Sequence, residues 1–180
     1  MTAHRAAAVF FQECLERDRE KELRLPIPVE LIACLTHAEA GGDLERVRWA
    51  AVRLARRMQR RAEFQAALDL LEPLLERDRH HGLLVEVANA MESLGRWKEA
   101  RANYEEALAM RQAIGDRAGE AATWHQLASI DLREGNYAAA REKFGKSLTM
   151  RQAIGDRAGE AATWHQLATI DVNKGNYAAS

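Results

Sequence analysis

Cysteine is scarce in this sequence. The two present, Cys14 and Cys34, belong to no Cys-x-x-Cys pair and no Cys/His cluster, which leaves no basis for a disulfide framework or a thiolate metal site. Both lie in apolar-rich helical patterns and are expected to be reduced, buried thiols of a cytoplasmic protein. Proline occurs three times and runs of β-branched residues are few, so little argues for strands. No apolar stretch reaches the ~18 residues of a membrane span. The early "AAAVFF" is too short for a signal-peptide core and runs into Glu13 and Glu16. Charge of one sign is also lacking: 26 Lys and Arg face 27 Asp and Glu, a formal net charge of -1. That supplies no global field for nucleic acid or membrane, while a local patch of either sign stays open.

What the sequence does have is alanine, leucine, glutamate and arginine, with 47% hydrophobic and 29% charged residues. This is the composition of a folded, helix-rich chain. It also repeats itself. "RQAIGDRAGEAATWHQLA" occurs as residues 111–128 and again, unchanged, as 151–168. Laid over each other, 111–140 and 151–180 agree at 25 of 30 positions. The same offset of forty carries Gly95, Trp97, Ala100, Tyr104 and Leu108 onto Gly135, Tyr137, Ala140, Phe144 and Leu148. An offset of thirty-three carries Phe64, Ala67, Leu71 and Leu75 onto Trp97, Ala100, Tyr104 and Leu108. Such periods belong to helical solenoids.

Each repeat reads as two helices. Over 117–134, Ala121, Trp124, Leu127, Ala128 and Leu132 recur every three or four residues and share one face. Gly135-Asn136 breaks that helix. A second starts at Tyr137 with Ala140, Phe144, Leu148 and Ile154 inward. Gly115-Asp116 and Gly155-Asp156 end one helix in the left-handed conformation and cap the next. Glu120 and Glu160 follow in the first turn, where they suit the helix dipole. The capping box is incomplete, because Gly119 stands where a glutamate is wanted. The fold expected is all-α, a solenoid of stacked antiparallel helix pairs. It comprises a divergent helix pair over 1–42, repeats over 43–80, 81–115 and 116–155, and a fourth over 156–180 cut short in its second helix, which would begin at Tyr177. In the divergent pair, a helix over 3–24 is stopped by Pro26 and Pro28, a second spans 29–40, and Asp43 caps the helix that follows.

The residues Trp124, Leu127, Ala128, Gly135, Tyr137, Ala140, Phe144 and Ser147 carry a pattern that resembles the tetratricopeptide repeat. In that resemblance Ala128 and Ala140 let the paired helices cross closely, and Tyr137 and Phe144 fill the space between repeats. Asp131 replaces the usual tyrosine late in the first helix, and Gln152 the usual terminal proline. The forty-residue period and the "GDRAGEA" junction are similar to kinesin light chain, to spindle-orientation adaptors and to the sensor regions of bacterial signal-transduction (STAND) ATPases. The resemblance implies a right-handed superhelix, a non-catalytic scaffold that binds a peptide or partner helix in its concave groove. A ligand-sensing region of a multidomain regulatory ATPase is one alternative reading, and a helical-repeat nucleic-acid binder another.

Chemistry is harder to find. "FGKS" at 144–147 ends like a phosphate-binding loop but has Ala140 where the loop needs glycine, and it lies inside a predicted helix. His125 and His165 should stand about 9–10 Å apart on neighbouring helices, too far to share a zinc ion. His80-His81 reads as a solvated junction. Asp131 and Asp171 have no adjacent nucleophile or base. No enzyme, cofactor or metal site is expected. Binding is assigned instead to first-helix residues not used for packing: Trp49, Arg53, Arg56, Arg60, Asn89, His125, Gln126, Ser129, Arg133, His165, Gln166, Thr169 and Asn173. "RLARRMQRR" sets Arg53, Arg56, Arg57 and Arg60 on one stripe, opposite Ala51, Leu54, Ala55 and Met58. Two readings stand side by side: a solvated face laced with ion pairs to Glu45, Glu63 or nearby acids, and a cationic floor for an acidic peptide. The partner expected is a protein or peptide, with an acidic segment as one candidate. No membrane is expected, and nucleic acid is the weakest candidate because the aromatic residues are assigned to packing. The open C-terminal repeat is expected to be sticky and to allow end-to-end self-association.

Overall fold

In the computed structural model, residues 2–17 and 29–178 are described, and side-chain surroundings are described for 2–13 and 29–173. Pro26, Pro28 and the Cys14 side chain lie outside these residues. The described residues form nine helices and no strand. They are α1 (Ala3–Arg17), α2 (Val29–Ala40), α3 (Leu44–Arg60), α4 (Phe64–Arg77), α5 (His81–Ser93), α6 (Trp97–Ile114), α7 (Arg117–Arg133), α8 (Tyr137–Ile154) and α9 (Arg157–Ala178). The chain divides into two compact units, residues 1–94 and 95–180. The boundary falls inside the segment 81–115 expected as one repeat, with α5 in the first unit and α6 in the second.

In the first unit α1 lies on α2, and α2 to α5 follow as antiparallel neighbours. Cys34 is buried and free, its thiol directed at the Ala8 carbonyl 3.5 Å away. Asp43 caps α3 as its sequence position suggests, accepting from the Arg46 amide at 3.2 Å. Leu54, Leu68, Leu71, Leu83 and Leu84 are buried, as are the small residues Ala50, Ala51, Ala55 and Ala67. Two backbone features break local rules. Ala62, between α3 and α4, sits at φ 60, the left-handed position that Gly95 and Gly135 occupy at φ 77 and 79 in the later turns. An alanine there bears a steric cost that glycine avoids. Pro73 lies inside α4. It cannot donate to the carbonyl of Asp69 one turn back, and its exposed position leaves that carbonyl to water.

In the second unit α7 is flanked by α6, α8 and α9. This explains why burial on α7 runs round the helix and is not confined to one stripe. Ala121, Leu127 and Ala128 are buried as their spacing predicts, but so are Glu120, Thr123, Ile130 and Asp131. Trp124, placed in the core by periodicity, is only half-buried, with the Lys146 ammonium 4.7 Å above its ring. Ala128, Ala140, Phe144, Leu148, Leu167 and Ile170 form one apolar cluster, with Tyr137 and Leu132 packed at its margin.

The junctions between repeats follow from the side chains that fill them. Gly115 and Gly155 both end their helices at φ 72. Asp116 then accepts from the Gly119 amide at 2.9 Å, and Asp156 from Gly159 at 3.0 Å. Arg111 reaches back over the turn to the Gly119 carbonyl at 2.8 Å and the Thr123 hydroxyl at 2.7 Å. A Cβ on residue 119 would overlap the Asp116 carboxylate and come within 2.8 Å of Arg111 Nε. The glutamate of a capping box is therefore missing for a reason: an aspartate and an arginine already occupy its space.

One boundary differs from expectation. Gly135-Asn136 ends α7, but the matching Gly175-Asn176 does not end α9, which runs on to Ala178. A single glycine lowers helix propensity by only about 1 kcal/mol.

Candidate interaction surfaces

The first unit presents its polar first-helix face on α3 and α5. Trp49 and Arg53 stack, with the guanidinium carbon 4.1 Å from the ring centroid, held one turn apart by the i, i+4 spacing. Arg56 and Arg60 are exposed beyond them. Arg56 is not a bare cation: its Nε donates to Glu86 Oε1 at 2.7 Å. Glu86 is 2% exposed and takes further hydrogen bonds from Asn89 at 3.3 Å and, through its carbonyl, from Gln59 at 3.0 Å. The stripe is therefore laced by an internal acid, though not by Glu45 or Glu63. Glu63 pairs with Arg61 at 2.7 Å, and Arg48 with Asp78 at 2.7 Å. Arg57 does not belong to the stripe at all. It is 1% exposed, because a residue one position after Arg56 turns by 100° toward the α3 core. His80, taken for a solvated junction residue, caps α5 by accepting from the Gly82 amide at 3.0 Å.

The second unit presents α7 and α9. Here the structure divides residues that the repeated sequence treats as equivalent. His125 is half-buried, edge-on to Phe144 with ring centroids 5.0 Å apart, and its Nδ1 lies 3.3 Å from the Thr163 hydroxyl. Burial, helped by the charge of Arg151, pushes its pKa down to about 4, so it is neutral at physiological pH. Gln126 is also half-buried, donating to the Tyr104 hydroxyl at 3.4 Å. Ser129 returns its hydroxyl to the His125 carbonyl at 3.0 Å. Arg133 is exposed. On α9, His165 is exposed, while Gln166, Thr169 and Asn173 are half-buried. His125 and Gln126 are thus spent largely on joining helices, and His165 is the more exposed imidazole.

Sequence reasoning missed the charged group that ties this unit together. Asp131 is 3% exposed. It accepts from Arg101 on α6 at 2.8 Å and from Lys143 on α8, and Arg101 also reaches Glu134 at 2.6 Å. The aspartate that replaces a tyrosine of the repeat pattern is a three-helix ion-pair centre. A signal was available: Arg101 and Arg141 repeat at the same offset as Asp131 and Asp171, and Arg141 does pair with Asp171. No group of three or more His, Cys, Asp or Glu among the described residues could hold a metal ion. Nor is any described helix long and apolar enough to cross a membrane.

Comparison with known proteins agrees with this architecture. The tetratricopeptide-repeat family model matches residues 81–153 and 119–180. No curated protein matches the chain. Solved structures that resemble it include BtubC (BKLC) from P. vanneervenii, at 18% identity and a TM-score of 0.61, over 97% of this chain and 68% of that one. At that identity the likeness concerns the fold. Tetratricopeptide repeats generally mediate protein–protein interactions and are typically non-catalytic. With its two overlapping matches spanning residues 81–180 and its helix pairs joined by glycine turns, the chain belongs to the tetratricopeptide-repeat family.

Proposed function

We propose that this chain is a non-catalytic scaffold that binds a peptide or partner helix along the polar faces of its first helices. The observation that carries this reading is the α3–α5 face. Trp49 and Arg53 form a flat cationic–aromatic platform, Arg56 and Arg60 extend it outward, and Asn89 borders it on the neighbouring helix. Guanidinium groups favour planar carboxylates, and an aromatic ring beneath one adds contact area at little entropic cost. The partner best matched is an acidic, extended or helical segment. Its carboxylates would engage Arg60 first, since Arg56 is already held by Glu86.

The second unit adds Arg133, Gln166, Thr169, Asn173 and the exposed His165 as further polar contacts. An array of acidic, neutral and basic peptides tests the reading. The wild-type chain should select acidic peptides with a salt-dependent affinity. Arg60→Glu should weaken them at least tenfold with no change in the melting curve, because Arg60 is exposed. Arg56→Ala is the poorer probe, since it strands the buried Glu86. Selection of the same peptides by the Arg60→Glu variant would exclude the α3–α5 face as the contact, and a salt-dependent shift with generic RNA or DNA would favour nucleic acid instead.

A further inference from the structure

The arginine-rich α3–α5 surface has an acid built in beneath it. Offsets of thirty-three and forty bring Arg53, Glu86, Gln126 and Gln166 to one position of the repeat. Glu86 alone of the four places a carboxylate there. Gln126 and Gln166 fill the same position with the neutral side chain of equal length, so the repeat pattern does not call for the charge.

Glu86 is not a surface acid. It is 2% exposed. Its Oε1 accepts from Arg56 Nε at 2.7 Å and its Oε2 from the Asn89 amide at 3.3 Å. The Arg56 side chain, by contrast, is 55% exposed. The inner edge of this guanidinium is thus occupied by the chain's own carboxylate, while the rest stays open to solvent. A partner's carboxylate that reaches Arg56 meets a cation already neutralised, with a second carboxylate close behind it. Shielding from water leaves that repulsion poorly screened.

We propose that Glu86 limits the affinity of the α3–α5 surface for acidic segments, as an internal competitor for Arg56. The inference rests on the reading of this surface as a site for an acidic segment, and concerns which residue sets its strength. Holding Nε also orients Arg56, which favours binding. Glutamine at 86 separates the two effects: its amide oxygen can accept from the same Nε–H, and only the charge is removed.

Anisotropy of a labelled peptide of alternating glutamate and serine, and of its glutamine–serine counterpart, titrated with the full chain, tests the proposal. Glu86→Gln should tighten the acidic peptide at least about fivefold, leave the neutral peptide unchanged and steepen the dependence of affinity on salt. Arg56→Gln added to Glu86→Gln should abolish the gain, and the paired change strands no buried charge. Glu86→Met removes the charge through an apolar side chain of similar length, and takes the place of Glu86→Gln if urea unfolding finds that variant destabilised. Where the wild-type chain prefers the acidic peptide but removing the charge does not tighten it, or the gain survives the loss of Arg56, the proposal is overturned and the surface keeps its assignment. Where neither the wild type nor the variant prefers the acidic peptide, the assignment of the surface falls and the proposal falls with it.

Discussion

Asp131 and Asp171 form a matched pair from which the worth of burial can be read directly. Each sits at the same repeat position and each faces an arginine thirty residues earlier. Their environments differ. The Asp131 side chain is 4% exposed and bridges Arg101 and Lys143, which are 24% and 23% exposed. The Asp171 side chain is 65% exposed, against Arg141 at 43%. Removing one member of a buried pair costs about 3–5 kcal/mol, because the remaining charge is left desolvated. Here both cations can turn partly to water and Arg101 keeps Glu134, which lowers the expectation for Asp131→Ala to about 2–3 kcal/mol. For Asp171→Ala the surface value applies, below about 0.5 kcal/mol. In urea, with a slope of about 2 kcal/mol per molar, the midpoint should fall by about 1–1.5 M for the first variant and by less than about 0.25 M for the second. Far-ultraviolet circular dichroism measures both. Equal shifts, or a larger one for Asp171→Ala, would refute the argument that burial makes this ion pair matter.

Two further outcomes follow from local geometry and protonation. Ala62→Gly should raise stability by about 1 kcal/mol, since it relieves a left-handed alanine, and the urea midpoint reports it directly. His125 gives a pH signature. Its folded pKa of about 4 lies below the ordinary 6.5, so the unfolded chain takes up this proton first. Its contribution is complete above about pH 6.5 and is lost progressively as the pH falls toward 4. The difference in urea midpoint between wild type and His125→Gln should therefore shrink over that window, and a constant difference from pH 7 to 4 would show that His125 is not held neutral.

The repeat itself was written in the sequence. A 3.6-residue apolar period, a glycine at each left-handed turn and an aspartate after it are all local signals. They placed α2, α7 and α8 and the cap on α3 at their observed positions. The side chains Leu127, Ala128, Ala140 and Phe144 were legible for the same reason, since one face of a helix is a matter of spacing alone. Which residues of the other faces are used was not legible. Arg57 and Glu86 are buried, and Asp131 is an ion-pair centre, because each first helix has neighbours on more than one side, and spacing along one helix does not reveal what stands across from it. The same limit explains His125 and His165. Identical segments predict identical roles, yet one imidazole is half-buried and edge-on to Phe144, and the other is exposed. Composition, period and turn chemistry thus determined that this chain is a tandem array of helix pairs. Only tertiary packing decided which charges are satisfied internally and which faces stay open, because desolvation and pairing depend on what lies across a gap in space and not on what comes next in the chain.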